Sequence, residues 1–144
     1  MSDHEAIRDL LGAYAEAADR GRSAALAALF APDGVLEIHG DTFDAGAFTG
    51  PEAIVARLEA SRRDLATRVS VALLRHHVST VRIALDGDAG RGASYFLAIT
   101  EAGPDHWGRY EDRYVRVGDG WRFAYRRVVH EGRMPGSWIE RASR

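Results

Sequence analysis

The run from Arg75 to Asp88, RHHVSTVRIALDGD, fixes most of what the second half of this chain can become. Val78, Thr80, Val81, Ile83 and Leu85 are β-branched or aliphatic, the side chains that suit a pleated, half-buried surface. Asp86-Gly87 closes the run. Asp-Gly between apolar stretches signals a tight hairpin, because glycine takes the positive φ that such a turn demands. The spacing predicts a long strand, from about Leu73 to Leu85, entering a hairpin. Three more β-patterned runs follow: ASYFLAIT from Ala93, WGRYEDRYVRV from Trp107 and WRFAYRRVVH from Trp121. The turns between them are predicted at Gly103-Pro104-Asp105 and Gly118-Asp119-Gly120.

The first half reads as helix. Ser2 with Glu5 three residues on forms a capping-box pattern. Ile7, Leu10, Leu11, Tyr14 and Ala18 recur at helical spacing, and Gly21 is a C-terminal stop. Asp19 therefore falls in the last turn, where the helix dipole disfavours a carboxylate by roughly 0.3–1 kcal/mol. Ser23 is expected to cap a short second helix through Leu26, Leu29 and Phe30, ended by Pro32-Asp33-Gly34. Val35 to His39 is expected as a short strand, and Asp41 to Gly50 as a loop whose Phe43 and Phe48 could cover a pocket. Pro51 suits the first turn of a third helix. Its apolar face is Ile54, Val55, Leu58 and Leu65; Arg57, Arg62, Arg63 and Arg68 are assigned to solvent. Residues 132–144 are expected as a loose extension, with Trp138 and Ile139 apolar enough to dock on this chain or a neighbour. Helices followed by antiparallel strands predict an α+β fold, a curved sheet wrapped around helices, in one domain spanning 1–144.

Composition removes several chemistries. There is no cysteine, so no disulfide, thiolate zinc site or Cys nucleophile can form. All 19 basic residues are arginine, which excludes a Schiff-base lysine and a P-loop lysine. A net charge of −2 without a basic stripe gives no footprint for nucleic acid. No apolar run approaches the roughly 18 residues of a membrane span, and the acidic, amphipathic start is unlike a signal peptide. The expectation is a cytoplasmic protein. With 46% hydrophobic residues, the core needs no metal or cross-link.

Strand alternation then groups the polar residues. Gly108, Tyr110, Asp112 and Tyr114 share one face; Trp107, Arg109, Glu111 and Arg113 share the other. In the last run, Ala124, Arg126 and Val128 oppose Phe123, Tyr125 and Arg127. Tyr110, Asp112 and Arg126 can thus line a cavity, or Asp112 and Arg126 can form a structural pair across neighbouring strands. His76 and His77 must diverge. Unbroken alternation puts His77 with Val81, Ile83 and Leu85, and a β-bulge between Val78 and Val81 reverses this, so periodicity leaves the choice open. His39, His76, His77, His106 and His130 show no metal-ligand spacing of the HExxH kind. There is no serine-nucleophile motif and no Gly-rich phosphate loop.

Four segments in order, AIRDLLGAYAEAADRG, FTGPEAI, RHHVSTVRIALDGD and GRYEDRYVRVGDGWRF, resemble the SnoaL-like branch of the nuclear transport factor two-like superfamily over roughly residues 4 to 131. The resemblance implies a cone-shaped cavity inside a mostly antiparallel sheet. In the dehydratase and dehydrochlorinase members that cavity holds a His–Asp dyad. Carried over position by position, it implies Asp19 as the dyad carboxylate, His76 as the base, and Tyr14, Asp112 and Arg126 as further catalytic residues. Tyr110, Phe43, Phe48 and Phe96 become candidate substrate contacts. Tyr110 stands about where scytalone dehydratase has an amide side chain, and the dehydrochlorinase lysine is absent. The implied activity is a lyase or isomerase that uses no cofactor or metal, acting on a small, largely apolar cyclic substrate. The implied assembly is a homodimer or higher homo-oligomer through the open sheet face. The alternative is a binding or assembly protein of the same fold. The small subunit of a ring-hydroxylating dioxygenase ranks third.

Overall fold

The computed structural model of the chain describes residues 1–42, 44–68 and 73–140. Helix α1 spans Asp3–Arg20. The Ser2 hydroxyl accepts from the Glu5 N–H at 3.1 Å, and the Glu5 carboxylate accepts from the Ser2 N–H at 2.6 Å, so the capping box forms. Gly21, with φ of 66°, ends the helix. Helix α2, Ser23–Ala27, is shorter than its apolar spacing suggests, and its N-cap is Arg22 rather than Ser23. Phe30 belongs instead to strand β1, Phe30–His39, where it aligns with Phe123. The Pro32-Asp33-Gly34 break survives as an irregularity within that strand, where proline need not donate to the ladder. Part of the expected loop forms an edge strand, β2, Gly46–Thr49. Helix α3 covers Pro51–Arg68. Four long strands follow: β3 Arg75–Asp86, β4 Ala89–Thr100, β5 Gly103–Val117 and β6 Gly120–Arg133.

These strands make one six-stranded sheet in the order β2-β1-β6-β5-β4-β3. All pairings are antiparallel except β1 with β6. The sheet curves over α1 without closing. Ile7, Leu10, Leu11 and Tyr14 of α1 pack into a core with Leu26, Leu36, Ile54, Phe96, Tyr110 and Phe123. Among the described residues no helix is long and apolar enough to cross a membrane.

Bulges decide which side chains face inward. In β3 the pairing slips between Ser79 and Arg82, and Thr80 takes a positive φ of 54°. Parity reverses there, so His76 and Val78 lie on the same covered side as Val81, Ile83 and Leu85, while His77 and Ser79 are exposed. In β6 the pairing skips Ala124. Phe123 and Arg126 are consequently both buried, although simple alternation set them on opposite faces. A third slip skips Asp105 in β5 and buries Asp105 and His106 together. The segment after β6 packs back onto the domain, with Ser137 and Ile139 buried, instead of trailing loosely.

Candidate active site

A cavity of about 380 Å³ lies between the concave face of the sheet and the helices. Tyr14 and Asp19 come to it from α1, His76 from β3, Phe96 from β4, His106 and Tyr110 from β5, and Val128 and His130 from β6. Leu58 and Leu65 of α3 cover one side, and Trp138 and Ile139 form another wall. The rest of the lining is mostly aliphatic, including Leu26, Leu36 and Ile38. Arg62, assigned to solvent from the sequence, also borders the cavity. It crosses so close to Gly21 that a Cβ there would lie 1.6 Å from its guanidinium, so Gly21 serves both the positive φ and this approach.

Asp19 and His76 meet across 57 positions of chain. The His76 ring Nδ1 lies 2.5 Å from Asp19 Oδ1, and the His76 backbone N–H donates to both carboxylate oxygens at 3.1 Å. The His76 side chain is 14% exposed and that of Asp19 9%, at the cavity wall. An ionised carboxylate only accepts, so Nδ1 carries the proton and Nε2 is left as the free ring nitrogen. The hydrogen bonds from β3 also compensate the unfavourable placement of Asp19 at a helix C-terminus.

Behind the cavity wall sits a second charged pair. Arg126 donates to Asp112 through Nε at 2.9 Å and Nη2 at 3.0 Å, and both side chains are fully buried. The Tyr114 hydroxyl donates to Asp112 at 3.0 Å. The guanidinium carbon lies 4.2 Å from the Tyr14 ring centre, 3.7 Å from that of Tyr110 and 4.5 Å from that of Phe123. Burial alone would favour a neutral guanidine, but Asp112 outweighs it and Arg126 is held charged. Burial pushes the Tyr14 and Tyr110 phenols up, against the pull of Arg126. Both remain protonated and able to donate, with a cation behind their rings to polarise them.

The sequence reading brought Tyr14, Asp19, His76, Tyr110 and Phe96 into one site, and the structure gathers all five around the cavity. Asp112 and Arg126 are not among the side chains that line it; Arg126 stacks on Tyr14 and Tyr110, which do. Phe48 is also off the cavity, under the Arg57 guanidinium, and Phe43 lies outside the described residues. The sequence reading missed His106 and His130. His106 Nδ1 lies 2.7 Å from Asp105 Oδ2, and His130 stacks on His106 at 5.6 Å between ring centres. Among the described residues no group of three or more His, Asp or Glu side chains is placed to hold a metal ion.

Comparison with known proteins agrees with this architecture. The sequence profile of the SnoaL-like domain matches residues 1–127. A protein of unknown function from Mycobacterium tuberculosis superimposes with a TM-score of 0.71 at 26% identity, over 87% of this chain and 69% of that one. A scytalone dehydratase candidate from Novosphingobium aromaticivorans gives a TM-score of 0.75 at 22% identity, over 97% and 89% of the two chains. The structure of LinA gives 0.75 at 20% identity, over 98% and 94%. A search of the curated proteins finds no match.

Proposed function

We propose, for a chain that belongs to the SnoaL-like domain family, a general acid–base lyase or isomerase acting on a small, largely apolar cyclic substrate. The observation that carries this reading is the 2.5 Å Asp19–His76 contact at the wall of an open, mostly aliphatic cavity. A cavity of about 380 Å³ lies in the ordinary range for small-molecule sites. A scytalone dehydratase candidate among its structural relatives supports a dehydratase-like reading.

In this reading the His76 Nε2 removes a proton from a carbon next to a carbonyl. Asp19 keeps the ring in the tautomer that leaves Nε2 free, and stabilises the imidazolium that results. The electron pair moves onto the carbonyl oxygen. Tyr14 and Tyr110, kept protonated by burial, donate hydrogen bonds to that oxygen as charge develops. Arg126 acts through the rings it stacks on. The enolate then expels a β-leaving group, or is reprotonated at another carbon to complete an isomerisation.

The probe substrate is 3-hydroxy-1-tetralone, whose loss of water yields 1-naphthol and is followed by fluorescence. The expected result is turnover above the buffer rate. His76→Asn and Asp19→Asn should each lower kcat by about 10²–10⁴-fold with the circular dichroism spectrum unchanged. Activity of His76→Asn equal to wild type would remove the dyad from the mechanism. Binding of 1-naphthol with no turnover would point to a carrier.

A further inference from the structure

The same cavity contains a second imidazole–carboxylate pair that the dyad does not use. His106 is buried, and its Nδ1 lies 2.7 Å from Asp105 Oδ2. Asp105 also accepts from the Ser137 hydroxyl at 2.7 Å and from the Trp138 backbone N–H at 3.1 Å. Burial alone would raise the Asp105 carboxyl, but the bonds from His106, Ser137 and Trp138 outweigh it and hold the group below the usual carboxylate range. So Asp105 is an anion built to orient one ring. With Nδ1 turned to Asp105, the other ring nitrogen of His106, Nε2, is the one free to meet a ligand.

The placement relative to His76 is specific. His76 and His106 both pair with Ala98 of β4, one from each side of it, and their ring centres are 6.0 Å apart at 77°. Phe96 lies 6.1 Å from each ring and forms a common floor. Two hydrogen-bonding reaches of about 3 Å then span the neighbouring C–H and C–O bonds of a β-hydroxy ketone from one side. The charged and titratable groups around His106 are Asp105 on its own strand, His76 with Asp19, His130 stacked on it, and Arg133 opposite on β6. Burial, followed by the charges of His106, Arg133 and His76, pushes His130 down to about 4, so that ring is a neutral neighbour at pH 7.

We infer that His106, oriented by Asp105, is a second catalytic group of this cavity: the general acid that protonates the departing hydroxyl. This rests on the acid–base reading above. With 3-hydroxy-1-tetralone, His76 takes the C2 proton and the C2–H pair becomes the enolate. The enolate collapses, the C3–O bond breaks with its pair on oxygen, and the His106 imidazolium supplies the proton that makes water. His76 ends protonated and His106 neutral, and solvent water carries one proton back to reset both. Asp105 is a positioning residue in this scheme.

The test compares two leaving groups. In 3-acetoxy-1-tetralone, acetate departs without a proton, whereas hydroxide needs one. His106→Asn is expected to slow loss of the hydroxyl at least ~100-fold more than loss of acetate, and Asp105→Asn to shift the ratio in the same direction by about tenfold. A merely structural pair would slow both reactions alike, and equal slowing would overturn the assignment. If His106→Asn does not fold, the ratio in Asp105→Asn decides in the same way. Failure of the underlying reading looks different: wild type then turns over neither ketone, or His76→Asn eliminates acetate as fast as wild type.

Discussion

At the scale of single residues, His130 makes the pH dependence of stability specific. Its ring is pushed from an ordinary 6.5 to about 4, first by burial and then by the charges around it. The unfolded chain therefore binds a proton on this ring between those values and the folded chain does not. Its contribution is fully present above about 6.5 and is lost as pH falls toward 4, on the order of 2–3 kcal/mol. Urea unfolding at pH 7 and pH 4.5 should show a larger drop for wild type than for His130→Asn; equal drops would mean the ring is solvated. Residue identity was legible where a regular element carried it. Helical spacing in α1 placed Tyr14 on its apolar face and Asp19 in its last turn, and alternation in β5 put Tyr110, Asp112 and Tyr114 together; only the family resemblance pointed Asp19 at a cavity. Alternation could not say that Asp112 and Arg126 sit one layer behind Tyr14 and Tyr110. Depth depends on which rings intervene, and those rings come from α1 and β5 together.

At the scale of elements, the bulges were the information missing from periodicity. His76 and His77 have equal claims in a regular strand, and only the slip between Ser79 and Arg82 settles that His76 faces inward. No glycine marks the slip; Thr80 carries the positive φ itself. A β-branched residue in that conformation is strained, by roughly 1–2 kcal/mol. Thr80→Gly relieves the strain at some cost in unfolded-state entropy. Equilibrium urea unfolding should show a net gain of about 0.5–1 kcal/mol, with the dyad undisturbed; a loss would mean that the Thr80 side chain stabilises the bulge. The bulge at Asp105 had the same effect on foresight. Asp105 reads as part of a Gly-Pro-Asp turn, and adjacent residues in a strand normally diverge. The slip turns Asp105 and His106 inward together, and Ser137 and Trp138 complete the arrangement from a segment that looked loose.

At the scale of the whole molecule, the Arg126–Asp112 pair joins the layers. Through it, Tyr14 of α1, Asp112, Tyr110 and Tyr114 of β5, and Phe123 of β6 form one packed unit. Asp112→Ala leaves a buried cation unpaired and should cost about 3–5 kcal/mol in urea unfolding. Asp112→Leu combined with Arg126→Met should recover most of that loss; a double variant as unstable as the single one would show that the rings require the cation. The family and the α+β order were legible from four short segments, and an Asp112–Arg126 pair across neighbouring strands was one of two readings that alternation offered. The rings packed over that pair were not legible, because they come from a helix and two strands at once.

The parallel pairing of β1 with β6 sets the order in which such a chain can assemble. Phe30 aligns with Phe123, so these strands meet only after a long loop closes, a step whose entropy no local contact repays. The β3–β6 meander needs only its own hairpins and can gather earlier. Asp19 reaches His76 when α1 docks on that meander. A half-assembled chain can hold much of its sheet and still lack the Asp19–His76 contact, so that contact should be among the last features to return on refolding.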